Sequence, residues 1–166
     1  GSGAVLFASL LPYFGTLELS GATAFTSTTI HDDFLIGGGV LRSYDGHSAT
    51  EYGFHLFPED VTLTATTGGL LPTSSGPYSV QVIYEWTDAR GVRFQSAPSI
   101  AKTVSMGGSD TRITVAVPSL RVTDKSLDTS LESRAPVKIR VFMTEASGSI
   151  HHFIAESTNP DVLTTD

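Results

Sequence analysis

The stretch PYSVQVIYEWTDARGVRFQSAPS, residues 77–99, decides the fold. Tyr78, Val80, Val82, Tyr84 and Trp86 share one face, and Ser79, Gln81 and Glu85 share the other. Only Ile83 breaks the alternation. A period of two held this long marks a strand with one face in a core. Thr87-Asp88-Ala89-Arg90-Gly91 then predicts a turn, with Gly91 able to take the positive φ that a short hairpin needs. Val92, Phe94 and Ser96 resume the alternation until Pro98 ends it. A lone hairpin is marginal in water, so both strands must belong to a larger sheet.

Working outward, Val61, Leu63 and Ala65 alternate with Thr62, Thr64 and Thr66, while Ile113, Val115 and Val117 alternate with Arg112, Thr114 and Ala116. Ile100–Val104 reads as a strand between them. Val137, Ile139, Val141 and Met143 line one face of another, which Glu145-Ala146-Ser147-Gly148 turns back into Ile150–Ile154. These make seven strands from Val61 onward, separated by turns at the spacing of a β-sandwich. The expectation is two stacked sheets of three and four strands over residues 59–156, with Tyr84 and Trp86 filling the core and 157–166 as an exit segment. Residues 119–136 are long for a connection and comparatively charged. They predict a protruding arm, with Leu127 and Leu131 on one side of a single helical turn.

The first 58 residues read as short strands punctuated by glycine: Val5–Leu11, Thr16–Leu19, Thr23–Ile30, Phe34–Ile36, Val40-Leu41 and an alternating run over Tyr52, Phe54 and Leu56. Gly37-Gly38-Gly39 and Asp45-Gly46 punctuate them, Asp-Gly being a strong hairpin signal. Nothing here has helical periodicity. The pattern is also that of one β-propeller blade, which cannot bury its own faces. This segment is therefore expected to pack on the following domain or on neighbours beyond the chain. The sequence begins at Gly1-Ser2 rather than at a Met, which reads either as a cloning scar or as the point where a longer protein was cut.

Composition narrows the function. Ten basic and seventeen acidic residues leave a net charge of −7, which argues against a nucleic-acid grip, since each phosphate contact calls for a Lys or Arg. No cysteine is present, so disulfides and thiolate metal sites are excluded, and with them the disulfide-pinned immunoglobulin sandwich. Val5–Leu11 is too short to span a bilayer and has no basic residue before it to make a signal peptide.

The hairpin and its surroundings resemble a known family. Tyr84-Glu85-Trp86-Thr87-Asp88-Ala89-Arg90-Gly91, followed by Ser96-Ala97-Pro98-Ser99, resembles the fibronectin-type-III-like modules of tailed-bacteriophage virion proteins. A valine-rich strand closing at Pro118-Ser119-Leu120 and a hairpin over Val137–Phe153, with Arg140-Val141-Phe142-Met143-Thr144-Glu145 inside it, follow in the same order. The departures are Met143, where an Arg is usual, and the expanded 119–136 segment. Upstream, Gly38–Leu41, Tyr44-Asp45-Gly46 and Glu51–Pro58 resemble the segment that joins a propeller-like region to this module in phage tail or adaptor proteins. The resemblance implies an all-β protein: a fibronectin-type-III-like sandwich behind a short-stranded, propeller-like β segment at 1–58. It implies a non-enzymatic role in the virion, contacts with other virion proteins and with copies of itself, and no cofactor, nucleic acid or membrane. The rival is an adhesin module in which Tyr13, Phe14, Tyr44, Tyr52, Phe54 or Phe57 stacks on a host-surface glycan.

Candidate chemistry is sparse. His31-Asp32-Asp33 is the densest group of potential cation ligands, and Asp45-Gly46 with Glu51 is a second; adjacent carboxylates diverge on an extended chain, so a solvated turn is the preferred reading of each. His151 and His152 are adjacent and face opposite sides of a strand, so they cannot chelate one ion. His152 is expected to share a partly buried face with Ile150 and Ile154. His47 and His55 have no partner at ligand spacing. No serine sits in a GxSxG elbow, the glycines at 37–39 lack the helix and Lys of a phosphate loop, and Glu59-Asp60 diverge on an extended chain. Arg90, Arg93, Arg112, Arg121, Arg134, Lys138 and Arg140 are spread among acids. Lys138 and Arg140 read as a solvated face or the rim of a subunit contact. No catalytic, metal or cofactor residue is assigned.

Overall fold

A computed structural model describes residues 24, 26–30, 33–46, 49–125 and 136–159. The protein is all-β, with several antiparallel sheets. Its first sheet is a meander of β1 (Thr26–Ile30), β2 (Asp33–Gly37), β3 (Arg42–Tyr44) and β4 (Ala49–Glu51), paired in chain order. Asp45-Gly46 falls in the β3–β4 connection, as its turn chemistry predicts. The run from Tyr52 to Leu56, expected as a strand, is instead irregular. Its alternation is real, but Phe54 leaves the sheet and packs toward the core against the Tyr84 ring.

Among the described residues seven strands follow: β5 (Thr62–Thr66), β6 (Tyr78–Thr87), β7 (Arg93–Gln95), β8 (Lys102–Val104), β9 (Arg112–Ala116), β10 (Lys138–Met143) and β11 (His152–Thr158). The first six lie where the alternation predicts, whereas β11 starts two residues later than the expected Ile150–Ile154 and runs through Ser157 and Thr158, residues of the expected exit segment. They divide five and two rather than four and three. The larger sheet runs β11-β10-β6-β7, with β8 also on β6, and the smaller pairs β5 with β9. The cause lies in the length of β6. Its C-terminal half pairs with β7 and its N-terminal half with β8, so one long strand carries two short ones along the same edge.

Between β7 and β8 the chain stays attached to β6 through two serines. Ser96 donates its backbone N–H to the Tyr84 carbonyl, and its hydroxyl accepts from the Tyr84 N–H at 3.0 Å. Ser99 repeats the arrangement on Val82, with its hydroxyl 3.0 Å from the Val82 nitrogen. Pro98 cannot donate to a ladder. The flanking hydroxyls act as side-chain acceptors, so neither buried N–H of β6 is left without a partner. This gives Ser96-Ala97-Pro98-Ser99 a physical meaning beyond punctuation.

The core gathers Val80, Val82, Tyr84 and Trp86 of β6, Ile139 of β10, and Val61, Leu120 and Val137, with Leu63 and Val115 of the smaller sheet packed against them. Trp86 is buried as its place on the apolar face predicts, and its ring centroid lies 5.9 Å from that of Phe94. At the turn, Gly91 takes φ 84° and Asp88 accepts from the backbone N–H groups of Arg90 and Val92.

Candidate functional site

The described part of the 119–136 segment does not protrude. Leu120 is buried, and its backbone N–H and carbonyl are both bonded by the side-chain amide of Asn159, at 2.7 and 3.0 Å. Five residues on, Lys125 is fully buried. The expectation of an exposed arm took charge as a sign of solvent; here the charge is paired within the protein. Leu127 and Leu131 lie outside the described residues.

Around Lys125 a polar cluster joins the first sheet to the core. Its ammonium lies 3.5 Å from Glu51 Oε1 and 2.5 Å from the Glu51 carbonyl oxygen. The rings of Phe54 and Trp86 stand 5.1 and 5.4 Å away, within cation–π range. Thr123 donates its hydroxyl to Glu51 Oε1, and the Asp124 N–H donates to Oε2 at 3.3 Å. Asp124 in turn accepts from the Glu51 N–H at 3.0 Å and from Arg42 at 2.5 Å. The cross-strand register Arg42↔Glu51 between β3 and β4 puts both residues on one face, which is why they meet the same loop. Burial pushes the Glu51 carboxyl up, and a hydrogen bond with Asp124 adds to it against the pull of Thr123 and Lys125. Burial pushes the Lys125 amine down, against the attraction of Glu51 and Asp124.

A second joint lies at the tip of the β6–β7 hairpin. Arg90 bridges Asp88, at 3.1 Å, and Asp33 of β2, while the Ala89 N–H donates to Asp45 at 3.0 Å. Asp33 and Asp45 therefore hold this hairpin. Asp45 and Glu51, considered together as cation ligands, are engaged in separate joints. His31, Asp32, His47, Tyr13, Phe14 and Arg134 lie outside the described residues. Among the described residues no three His, Asp or Glu side chains group as a metal site, and no helix is long and apolar enough to cross a membrane.

The remaining candidates are scattered. Tyr52 is exposed, with its ring edge against Phe94; Phe54 packs toward the core, and Tyr44 donates its hydroxyl to the Gly46 carbonyl. Phe57 is half-buried, and His55, Glu59 and Asp60 are exposed. His152 is exposed rather than partly buried. β11 is the last strand of its sheet, and a bulge opposite Val141/Phe142 leaves Ile154 without a register partner, breaking the shared face that alternation predicts. The half-buried imidazole is His151, 3.1 Å from the Ser79 hydroxyl. Arg140 is no freely solvated side chain: it bonds both Glu85 oxygens at 2.9 Å and stacks 4.3 Å over Phe153. Lys138 pairs with Glu156 at 2.7 Å and stays exposed. Among the basic residues on the core module, Arg93, Arg112 and Arg121 are exposed.

The sequence offered little warning of the Lys125 cluster. Glu51 and Lys125 are 74 positions apart, and the balanced Asp124-Lys125 pair reads as ordinary surface. No family model, curated protein or solved structure matches this chain.

Proposed function

We propose that the chain is a non-enzymatic structural component of a phage virion, making assembly contacts in the tail or adaptor region. In this reading the five-stranded and two-stranded sheets stack as a fibronectin-type-III-like sandwich. Support comes from the shared core, to which β6 and β10 contribute from one sheet and Leu63 and Val115 from the other. The four-stranded meander β1–β4 has the strand count and order of a propeller blade, in keeping with a propeller-like segment ahead of the module.

The observation that carries the assembly role is the outer edge of the larger sheet. β11 is seven residues long and every one of them is exposed, including Phe153 and Ile154, with Ile150 exposed just before it. Edge strands of proteins that stay apart are usually short, charged or covered. This one is long, has Glu156 as its only acid and no Lys or Arg, and ends a sheet whose next strand is β10. Such an edge suits strand addition by a neighbouring chain.

Sedimentation of the full chain over a range of concentrations tests the reading, with Ile154→Lys as the edge-blocking variant. Self-association that the variant abolishes is the expected result. A chain that stays monomeric at every concentration and binds a host glycan through Tyr52 would instead establish the adhesin.

A further inference from the structure

We propose that Lys125 and Glu51 condense into an intramolecular amide, a covalent cross-link that ties β4 to the loop following β9. A lysine with no exposed surface is rare unless it is paired, and this one is enclosed by two aromatic rings and one carboxyl group. An ordinary buried ion pair uses such an arrangement only to cancel charge. Three features here go further and match what amide formation requires.

The first is approach. The Lys125 nitrogen lies 3.5 Å from Glu51 Oε1 and is held beside this carboxyl group by its 2.5 Å contact with the Glu51 carbonyl oxygen, so amine and carboxyl are kept together without a diffusive encounter. The second is polarisation. Both carboxyl oxygens of Glu51 already accept hydrogen bonds, Oε1 from the Thr123 hydroxyl and Oε2 from the Asp124 N–H, so charge arising on either oxygen as the carbonyl carbon is attacked meets a donor in place. The third is a proton carrier. Asp124 lies against Glu51, with its carboxylate accepting from the Glu51 N–H at 3.0 Å and from Arg42, and its own N–H donating to Glu51 Oε2. Desolvation works in the same direction on both partners: it favours a neutral amine, which is the nucleophile, and a neutral carboxylic acid, which is the electrophile.

The reaction balances without an outside reagent. The lone pair of the neutral Lys125 nitrogen attacks Cδ of Glu51 and forms the C–N bond. Asp124 takes a proton from that nitrogen and returns it to the hydroxyl on Cδ. The C–O bond then breaks, water departs, and a secondary amide remains. No atom is oxidised or reduced. The low dielectric between Phe54 and Trp86 disfavours the charged pair and does not penalise the neutral amide. The inference rests on this cluster alone and holds whether or not the chain belongs to a virion.

Intact-mass spectrometry of the full chain under denaturing conditions decides the matter. The expected mass is that of the sequence less one water, and digestion should yield a branched peptide joining the segment around Glu51 to that around Lys125. Lys125→Met, which keeps a long apolar side chain between the two rings, should restore the full sequence mass. Asp124→Asn should slow or abolish the loss while leaving Lys125 and Glu51 in place. A parent chain with the full sequence mass after prolonged incubation overturns the proposal. So does a loss of water that persists in Lys125→Met, because Asp45-Gly46 could then be its source through cyclisation.

Discussion

Asn159 gives the most direct test of how the chain is tied together. It is buried, and it acts on Leu120 as a strand neighbour would: its side-chain oxygen accepts from the Leu120 N–H at 2.7 Å and its side-chain nitrogen donates to the Leu120 carbonyl at 3.0 Å. Its own N–H donates to the Val137 carbonyl at 2.7 Å, which fixes the backbone from which the side chain reaches. Leu120 is 3% exposed, so little water can replace what the amide supplies. Asn159→Ala removes two hydrogen bonds and leaves one buried donor and one buried acceptor open, at about 1–3 kcal/mol each. Partial relaxation of the segment should bring the total to about 2–4 kcal/mol. Urea unfolding should show this as a lower midpoint with an unchanged slope. Asn159→Asp sharpens the test. It keeps the acceptor but sets a second oxygen against the Leu120 carbonyl, so near neutral pH it should lose at least as much as the alanine variant. Near pH 4, roughly where carboxyls begin to protonate, a carboxylic acid regains a donor and the deficit relative to the parent should narrow. A loss below about 1 kcal/mol in both variants at both pH values would mean that the Leu120 backbone finds other partners, and the assignment of Asn159 as a tie would fall.

Three further outcomes follow from the same structure. Trp86→Ala should lose about 3–5 kcal/mol through lost burial and a cavity, toward the upper end because Lys125 also loses a ring; a urea midpoint within error of the parent would place Trp86 outside the core. Burial alone would push the Glu85 carboxyl up, but hydrogen bonds from Gln95 and Arg140 and the charges of Arg140 and Arg93 outweigh it and hold it below its ordinary 4.5. That stabilisation is full above the unfolded value and is lost as pH falls through the folded one, so Glu85→Gln should flatten the acid limb of a melting-temperature profile, and an unchanged limb would refute the pairing. Expressed alone, residues 59–166 should fold, with reduced stability because Lys125 loses Glu51, whereas 1–58 should not; a soluble 1–58 fragment with dispersed amide resonances would contradict this.

What the sequence made legible was whatever depends on the period of two. Tyr78 to Trp86 could be assigned to a core face because the rule needs only neighbours in sequence, and the turn at Asp88–Gly91 because its backbone demands are local. The five-and-two division was not legible. It depends on β6 being long enough to carry β7 and β8 end to end, and on Ser96 and Ser99 bonding where Pro98 interrupts. Alternation scores apolar residues and is blind to a hydroxyl acting as a backbone acceptor. The exposure of β11 had a signal that was easy to miss: His151-His152-Phe153-Ile154 does not alternate, and a strand without alternation has no single buried face.

The joint between the first sheet and the rest shows the limit most clearly, because its partners are remote in sequence and polar. Arg42, Glu51, Asp124 and Lys125 are two acids and two bases, so the cluster is neutral as a whole whether Glu51 and Lys125 are an ion pair, a neutral pair or an amide, and it leaves no net charge in low dielectric. Apolar contact alone would let two surfaces slide, since it has no preferred direction. The bonds from Thr123 and Asp124 to Glu51, from Arg42 to Asp124 and from Arg90 to Asp33 each work at one distance and one angle. Two such joints, one on each side of β3, fix both the position of the meander and its rotation. The proposed cross-link at Lys125 would make one of the two joints permanent.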